Sequence, residues 1–570
     1  MNVKRLMVAL AGGALYLSIS VAAVAQLHDP RALEADPATA DAPIAPMLAG
    51  LGDYEFDVST DNERSQYFFN QGLRLTYGFN HSEALRAFKE AARLDHDNAM
   101  AYWGWALVLG PNLNLPMQPQ VVEQAYKAIQ EAQAHKNSVS ERERAYIDAL
   151  ATRYSENPEA DRAALDAAYA AAMSELTKAY PDDLDAATLY AASLMNLSPW
   201  NYWSRNGTPY PRTELLIAAL ESVMERNPEH PGAAHYYIHA VEAVWPQSGV
   251  AAADTLRELM PGAGHMVHMP SHIYMRVGRY ADSVAVNQLA AQADERYIAS
   301  CRAQGIYPVN YYPHNVHFLV WAAMSQGSSA IAMEAARKIQ ISIPEALDVE
   351  DELPNDVYAD AWILYETFLT QPLFAMARFG WWDQVLAEPQ PPDEARYMTG
   401  VWHYARGLAY VHTGSRSKAG RELKQLQAII EEPGTRDYPV SANGGYGLLT
   451  MASEILAGEI AASKKNYTEA LAHLERAVRL QDGFFYIEPP DWYFSARHIL
   501  GAVLLEAGYP DEAETVYWAD LQRNPENGYA LFGLMQSLKA QAKNDAAASV
   551  ESRFRAAWSD ADVQLTSSRY

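Results

Sequence analysis

Residues 494–527 read FSARHILGAVLLEAGYPDEAETVYWADLQRNPEN, and this stretch decides the fold. Apolar residues recur with a helical period on both sides of Gly508-Tyr509-Pro510, which interrupts the run as a tight turn does. Leu500-Gly501 and Leu504 lie in the first half, Ala513 and Tyr517 in the second, and Pro525 ends the second helix. Small residues let two antiparallel helices approach closely, and large ones fill the space between pairs. The next unit begins at Gly528, 34 residues after Phe494, and runs through Ala547 to Trp558.

The same layout recurs toward the other end of the chain. A unit from Ser65 carries Gly72, Leu75, Ala84, Phe88 and Ala91, and its successor starts 34 residues on, at 99. Units at Gly400 (Gly407, Tyr410, Ala419, Leu423) and Met451 (Gly458, Ala470, Leu474, Ala477) repeat it. Residues 110–182 and 340–395 are helical in pattern but irregular in spacing. These positions resemble the tetratricopeptide repeat (TPR) superfamily over nearly all of residues 65–560. The resemblance implies an all-α fold, a right-handed solenoid of antiparallel helix pairs. It also implies a concave groove, lined by the first helix of each pair, that takes a protein or peptide ligand. The stretches His265-Met-Val-His-Met-Pro-Ser-His272 and Tyr311-Tyr-Pro-His-Asn-Val-His317 are similar to a group of exported bacterial repeat proteins with no established activity.

Composition narrows the function. The 570 residues carry 44 Lys+Arg against 70 Asp+Glu, a net charge of −26, which repels nucleic acid and anionic lipid. One cysteine excludes an internal disulfide framework, a CxxC redox pair and c-type haem attachment. Residues 1–25 read as a signal peptide: Lys4 and Arg5, an apolar run from Leu6 to Val24, and the small-x-small pattern Ala23-Val24-Ala25. Gly12, Gly13, Ser18 and Ser20 dilute that run, which favours cleavage over an uncleaved membrane anchor. Removing Lys4 and Arg5 leaves a charge of −28. No later stretch approaches ~18 uninterrupted apolar residues, so the expectation is an exported protein, periplasmic or secreted, with no membrane span. Residues 26–62, with Pro30, Pro37, Pro43 and Pro46 among Ala and Asp, read as a linker or a loosely docked arm. Helix pairs are then expected over 63–230, histidine-rich units over 231–340 with an insertion at 293–313, and further repeats over 341–570.

Histidine distribution supplies the candidate site. Of 16 histidines, eight fall between His230 and His317. Taking Gly278-Arg-Tyr280 and Gly327 as inter-helix turns starts successive units near Pro231, at Gly264 and at Pro313. Counted from those starts, second places hold His265 and His314, fifth places His235, His268 and His317, and ninth places His239 and His272. Glu242 lies three residues beyond His239, on the same helical face. Imidazoles projecting from packed helices ~8–10 Å apart can converge on one ion, and imidazole is a ligand for zinc, copper and iron alike. The expected ligand set is therefore His235, His239, Glu242, His265, His268, His272, His314 and His317.

Pro270 complicates this register, because a helix starting there leaves His265 and His268 in a loop. Met260, Met266, Met269 and Met275 would suit copper(I) beside imidazole, but gap-filling is the more ordinary use of methionine. Cys301 reads as a buried thiol. Pro199-Trp-Asn-Tyr-Trp203 reads as the cap of a helix junction, and Glu488-Pro-Pro-Asp491-Trp-Tyr as a shaped connection. No HExxH, phosphate-binding glycine loop, GxSxG elbow or dinucleotide fingerprint occurs. Three functions fit: a binding protein with a metal in its groove; a metal-dependent enzyme with Glu242 as acid/base and Tyr236 or Tyr312 near substrate; or an interaction scaffold whose histidines are structural.

Overall fold

Helices start where the sequence offers an acceptor to their unpaired N–H groups. Asn62, Asn80 and Asn98 accept from the first turns of Glu63–Tyr77, His81–Leu94 and Ala99–Leu109. Ser140 and Glu143 form a reciprocal capping box at the head of Glu141–Ala151. Proline occupies the first turn of Pro211–Arg226, Pro231–Val241 and Pro510–Leu521, where its missing N–H costs nothing. The structure, a computed structural model, describes residues 28–347, 365–492 and 494–570. Residues 1–25, expected to be a signal peptide, lie outside the described residues. Among the described residues every regular element is helical, and β pairing is confined to an isolated bridge between Trp203 and Pro209. No helix among them is long and apolar enough to cross a membrane.

The helices form two compact units. One comprises residues up to Ile273 with Leu289–Tyr312, the other Tyr274–Gln288 with Pro313–Tyr570. Within each, consecutive helices pack as pairs, as in Glu63–Tyr77 with His81–Leu94 and Gly528–Ala540 with Asn544–Ala557. A single device recurs in both units. Phe88, on the second helix of its pair, sits so close to Gly72 and Gly104 that a Cβ on either would meet its ring at 2.7 and 2.3 Å. Tyr517 makes the same wedge against Gly501 and Gly533, at 2.4 and 2.2 Å. In both cases the ring lies 16 residues past one glycine and 16 before the next, so one aromatic locks its own pair to the following one.

The N-terminal arm is docked rather than loose. Residues 36–62 contain no helix, yet Ile44, Ala45, Leu51 and Phe56 are buried. Side chains of the first unit receive its backbone N–H groups: Glu90 takes Ile44 (2.8 Å), Gln71 takes Leu48 (2.9 Å), Asn70 takes Phe56 (3.1 Å) and Glu143 takes Ser59 (2.6 Å). The segment expected as an insertion at 293–313 is only partly a loop. Tyr280–Cys301 is one continuous helix, and a π-helical turn over Tyr307–Tyr311 leads into Tyr312–Gln326.

Candidate metal centre

The helix Pro231–Val241 buries all 11 of its residues, so its histidines are cut off from bulk water. His230 opens it: its Nδ1 accepts from the Ala233 N–H at 3.2 Å, and its Nε2 lies 3.3 Å from the Thr188 hydroxyl. That histidine is structural. His235 and His239 follow one turn apart on a shared face. The next element, Gly264–His268, ends after five residues because Pro270 has no N–H to continue it. A second helix, Pro270–Val277, carries His272. The proline thus divides the segment without turning His265 and His268 into loop residues.

The short helix is fixed at its head. A Cβ at Gly264 would lie 2.0 Å from Asp294 Oδ1, so only glycine admits this approach. Asp294 accepts from the Tyr307 hydroxyl at 2.8 Å, and that oxygen accepts from the His265 N–H at 3.4 Å. The insertion thereby sets where His265 stands.

Six of the eight expected ligands lie in the first unit, and the structure brings them together. Ring nitrogens of His235, His239 and His265 lie within 4.8 Å of one another, as do ligand atoms of His239, Glu242 and His272. His268 Nε2 and His272 Nε2 are 3.1 Å apart. Two nitrogens bound tetrahedrally to zinc at ~2.0–2.1 Å would be about 3.3 Å apart. His314 and His317 belong to the second unit, where their rings stack edge-on against Phe318 and Phe368 with centroids 5.1 Å apart in both cases. Burial brings the His317 imidazole down to about 3.

His235 shows the chemistry of the cluster most directly. Its Nδ1 donates to the backbone carbonyl of Tyr77 at 2.5 Å, which leaves Nε2 as the lone-pair nitrogen. Nε2 is buried and has no hydrogen-bond partner among the described residues. His239 Nε2 is likewise buried without one. His272 Nδ1 lies 2.9 Å from Glu242 Oε2, and His239 Nδ1 lies 3.4 Å from the same oxygen. A histidine that gives one N–H to a carbonyl or carboxylate and aims the other nitrogen inward has the outer support typical of a metal ligand.

Burial and neighbouring charge shift His235, His239 and Glu242 from their ordinary values. Burial, aided by the neighbouring His239, pushes His235 well below the usual imidazole range. Burial also lowers His239, against the pull of Glu242. For Glu242 burial works upward, but His272 and His239 outweigh it and hold the carboxyl below its ordinary value.

Two aromatic residues at the site were not foreseen. Phe79 (φ +56) puts its ring 4.5 Å from His235 and 5.7 Å from His265. Trp200 (φ +60) meets His239 edge-on at 5.0 Å. Both adopt the left-handed backbone region, which costs a bulky residue ~1–3 kcal/mol, and both pack on the imidazoles. The Pro199–Trp203 stretch is therefore part of the site as well as a junction. The four methionines are buried packing residues. Cys301 is a buried thiol raised to about 11 by burial, hence poorly disposed to ligate. Tyr236 stacks on Phe79 at 5.7 Å, and Tyr312 donates to Glu295 at 3.1 Å.

No protein-family model and no curated protein matches the chain. Solved structures similar to it include a human IFIT1 dimer with m7Gppp-AAAA, at 12% identity over 88% of this chain and 91% of that one, TM-score 0.27. The TPR domain of P58(IPK) aligns at 12% identity over 84% and 99%, TM-score 0.22. Ypp1 aligns at 10% identity over 88% and 66%, TM-score 0.32.

Proposed function

We propose that the chain is an exported binding protein of the helical-repeat type, and that the imidazole cluster of its first unit holds a transition metal. The observation that carries this reading is His235: buried, oriented by the Tyr77 carbonyl, with an unpartnered Nε2 in a triad with His239 and His265. The core ligands are His235, His239 and His265, with Glu242, His268 and His272 completing or adjoining the set. Imidazole with one carboxylate and no thiolate suits zinc, copper or iron. A metal here would tie the helix Pro231–Val241 to Gly264–His268 and so stabilise the folded state.

Glu242 favours binding over hydrolysis, because a carboxylate held by two imidazoles acts better as ligand or orienting group than as general base. A protein or peptide partner is the second part of the proposal. Support comes from the arm, whose extended backbone is held by Gln71, Asn70 and Glu143 in the manner of a bound peptide. The test is elemental analysis of protein purified without an affinity tag. At least one equivalent of zinc, copper or iron is expected. Failure to retain any of the three after incubation with each and dialysis would sink the reading.

A further inference from the structure

The second unit carries a partly open cleft of about 330 Å³, within the size range of small-molecule sites. Its charge departs from that of the chain. Against a net −26 overall, the walls carry Arg276, Arg378, Arg497 and Arg523 but only three carboxylates, Asp482, Glu488 and Asp491. Asp482 is shared, with Arg497 at 2.6 Å and Arg523 at 3.4 Å. Arg378, 3% exposed, has no carboxylate within ion-pair distance among the described residues; it donates to the Arg569 carbonyl and stands 3.1 Å from His498 Nδ1. Burial raises the carboxyl of Asp491 above its ordinary value.

Backbone dipoles add to this. Asn443, Ser495 and Asn527 line the cavity, and each is the N-cap of a long helix: Gly444–Ser463, Ala496–Ala507 and Gly528–Ala540. Three helix N-termini at one cavity present partial positive charge to its contents. The apolar wall includes Trp321, Met324, Phe484 and Trp492. Trp492 is 3% exposed, and its Nε1–H has no acceptor among the described residues. At the rim Phe485 and Tyr486 are 52% and 43% exposed.

We infer that this cavity is a binding site for a small organic anion, a carboxylate or sulfonate joined to a flat apolar body. The anionic group meets the arginines and helix N-termini, and the body lies between the aromatic rings. This site shares no residue with the metal cluster and stands or falls separately from it.

Fluorescence titration of the full-length protein with anilinonaphthalene sulfonate, and with its uncharged relative phenylnaphthylamine, tests the inference. One saturable sulfonate site is expected, with the uncharged dye bound at least ~10-fold more weakly, as a lost contact to a charged group implies. Phenylacetate should displace the sulfonate. Trp492→Phe and Arg276→Met, which keep the packing, should each weaken binding ~5–10-fold with unchanged circular dichroism; Arg378→Met should do so more strongly if it folds. Equal affinity for both dyes, sulfonate binding untouched by the first two substitutions, or no saturable site would each overturn it.

Discussion

His235 and His498 are both buried helical histidines, each near the start of the first helix of a pair, and their surroundings differ in one respect. His498, in the second unit, has both nitrogens engaged: Nε2 with Asp520 at 2.9 Å and Nδ1 with Arg378 at 3.1 Å. His235, in the first unit, has Nδ1 tied to a carbonyl and Nε2 without a partner. Burial lowers both imidazoles, so neither charge nor exposure tells them apart. The free nitrogen does. A saturated ring is part of the fold's hydrogen bonding, whereas the unpartnered nitrogen of His235, with two more imidazoles nearby, is the feature on which the proposed metal site rests. The regular repeats around Tyr517 use histidine for the first purpose, and the region on either side of Pro270 is where we propose the second.

The contrast is most directly broken by His235→Ala with His239→Ala. Bound metal should fall from one or more equivalents to below ~0.1, since removing two of three ligands abolishes chelation; elemental analysis reads this, and retained metal would erase the distinction. His498→Ala should do the opposite. Metal content should stay unchanged while stability in urea drops by ~3–5 kcal/mol, because Asp520 loses its buried partner.

Gly264→Ala should have a smaller effect on both readouts. The added methyl must displace Asp294, costing ~1–3 kcal/mol, and with it the helix carrying His265, so metal affinity falls while the protein still folds. The smallest effect sharpens the electrostatic side. His28 and His81 are held at about 4 and about 3 by burial, below the unfolded value near ~6.5. Their contribution is complete above that value and is lost as pH falls from it toward about 4, because the unfolded chain takes up protons that the folded one refuses. Urea titrations over that window should show stability declining, and His81→Asn should reduce the slope by up to ~1.4 kcal/mol per pH unit.

Much of the fold was legible in the sequence because a repeat writes its packing locally. Gly72 with Phe88 and Gly501 with Tyr517 read as small-and-large partners, and they meet in that way. Helix starts at Pro231 and Gly264, and turns at Gly278 and Gly327 (φ +82 and +83), also fall where the spacing puts them. Of the site, the shared face of His235 and His239 was legible for the same reason. The Tyr77 carbonyl, Phe79 and Trp200 were not. They reach the cluster from two distant segments, Tyr77 with Phe79 from about 158 residues before His235 and Trp200 from the stretch before Pro211–Arg226, and helical period carries no information about contacts between distant segments. The docking of residues 36–62 was hidden likewise, since an extended arm held by side chains of other helices leaves no periodic trace.

The oxygen that orients His235 belongs to a peptide bond. Exchanging the Tyr77 side chain would leave that acceptor in place, so a scan of single substitutions would pass over one of the most consequential atoms in the cluster. Inheritance works under the same blindness: drift at codon 77 can alter the phenol and its neighbours, while the choice of imidazole tautomer persists for as long as the turn beneath it keeps its course.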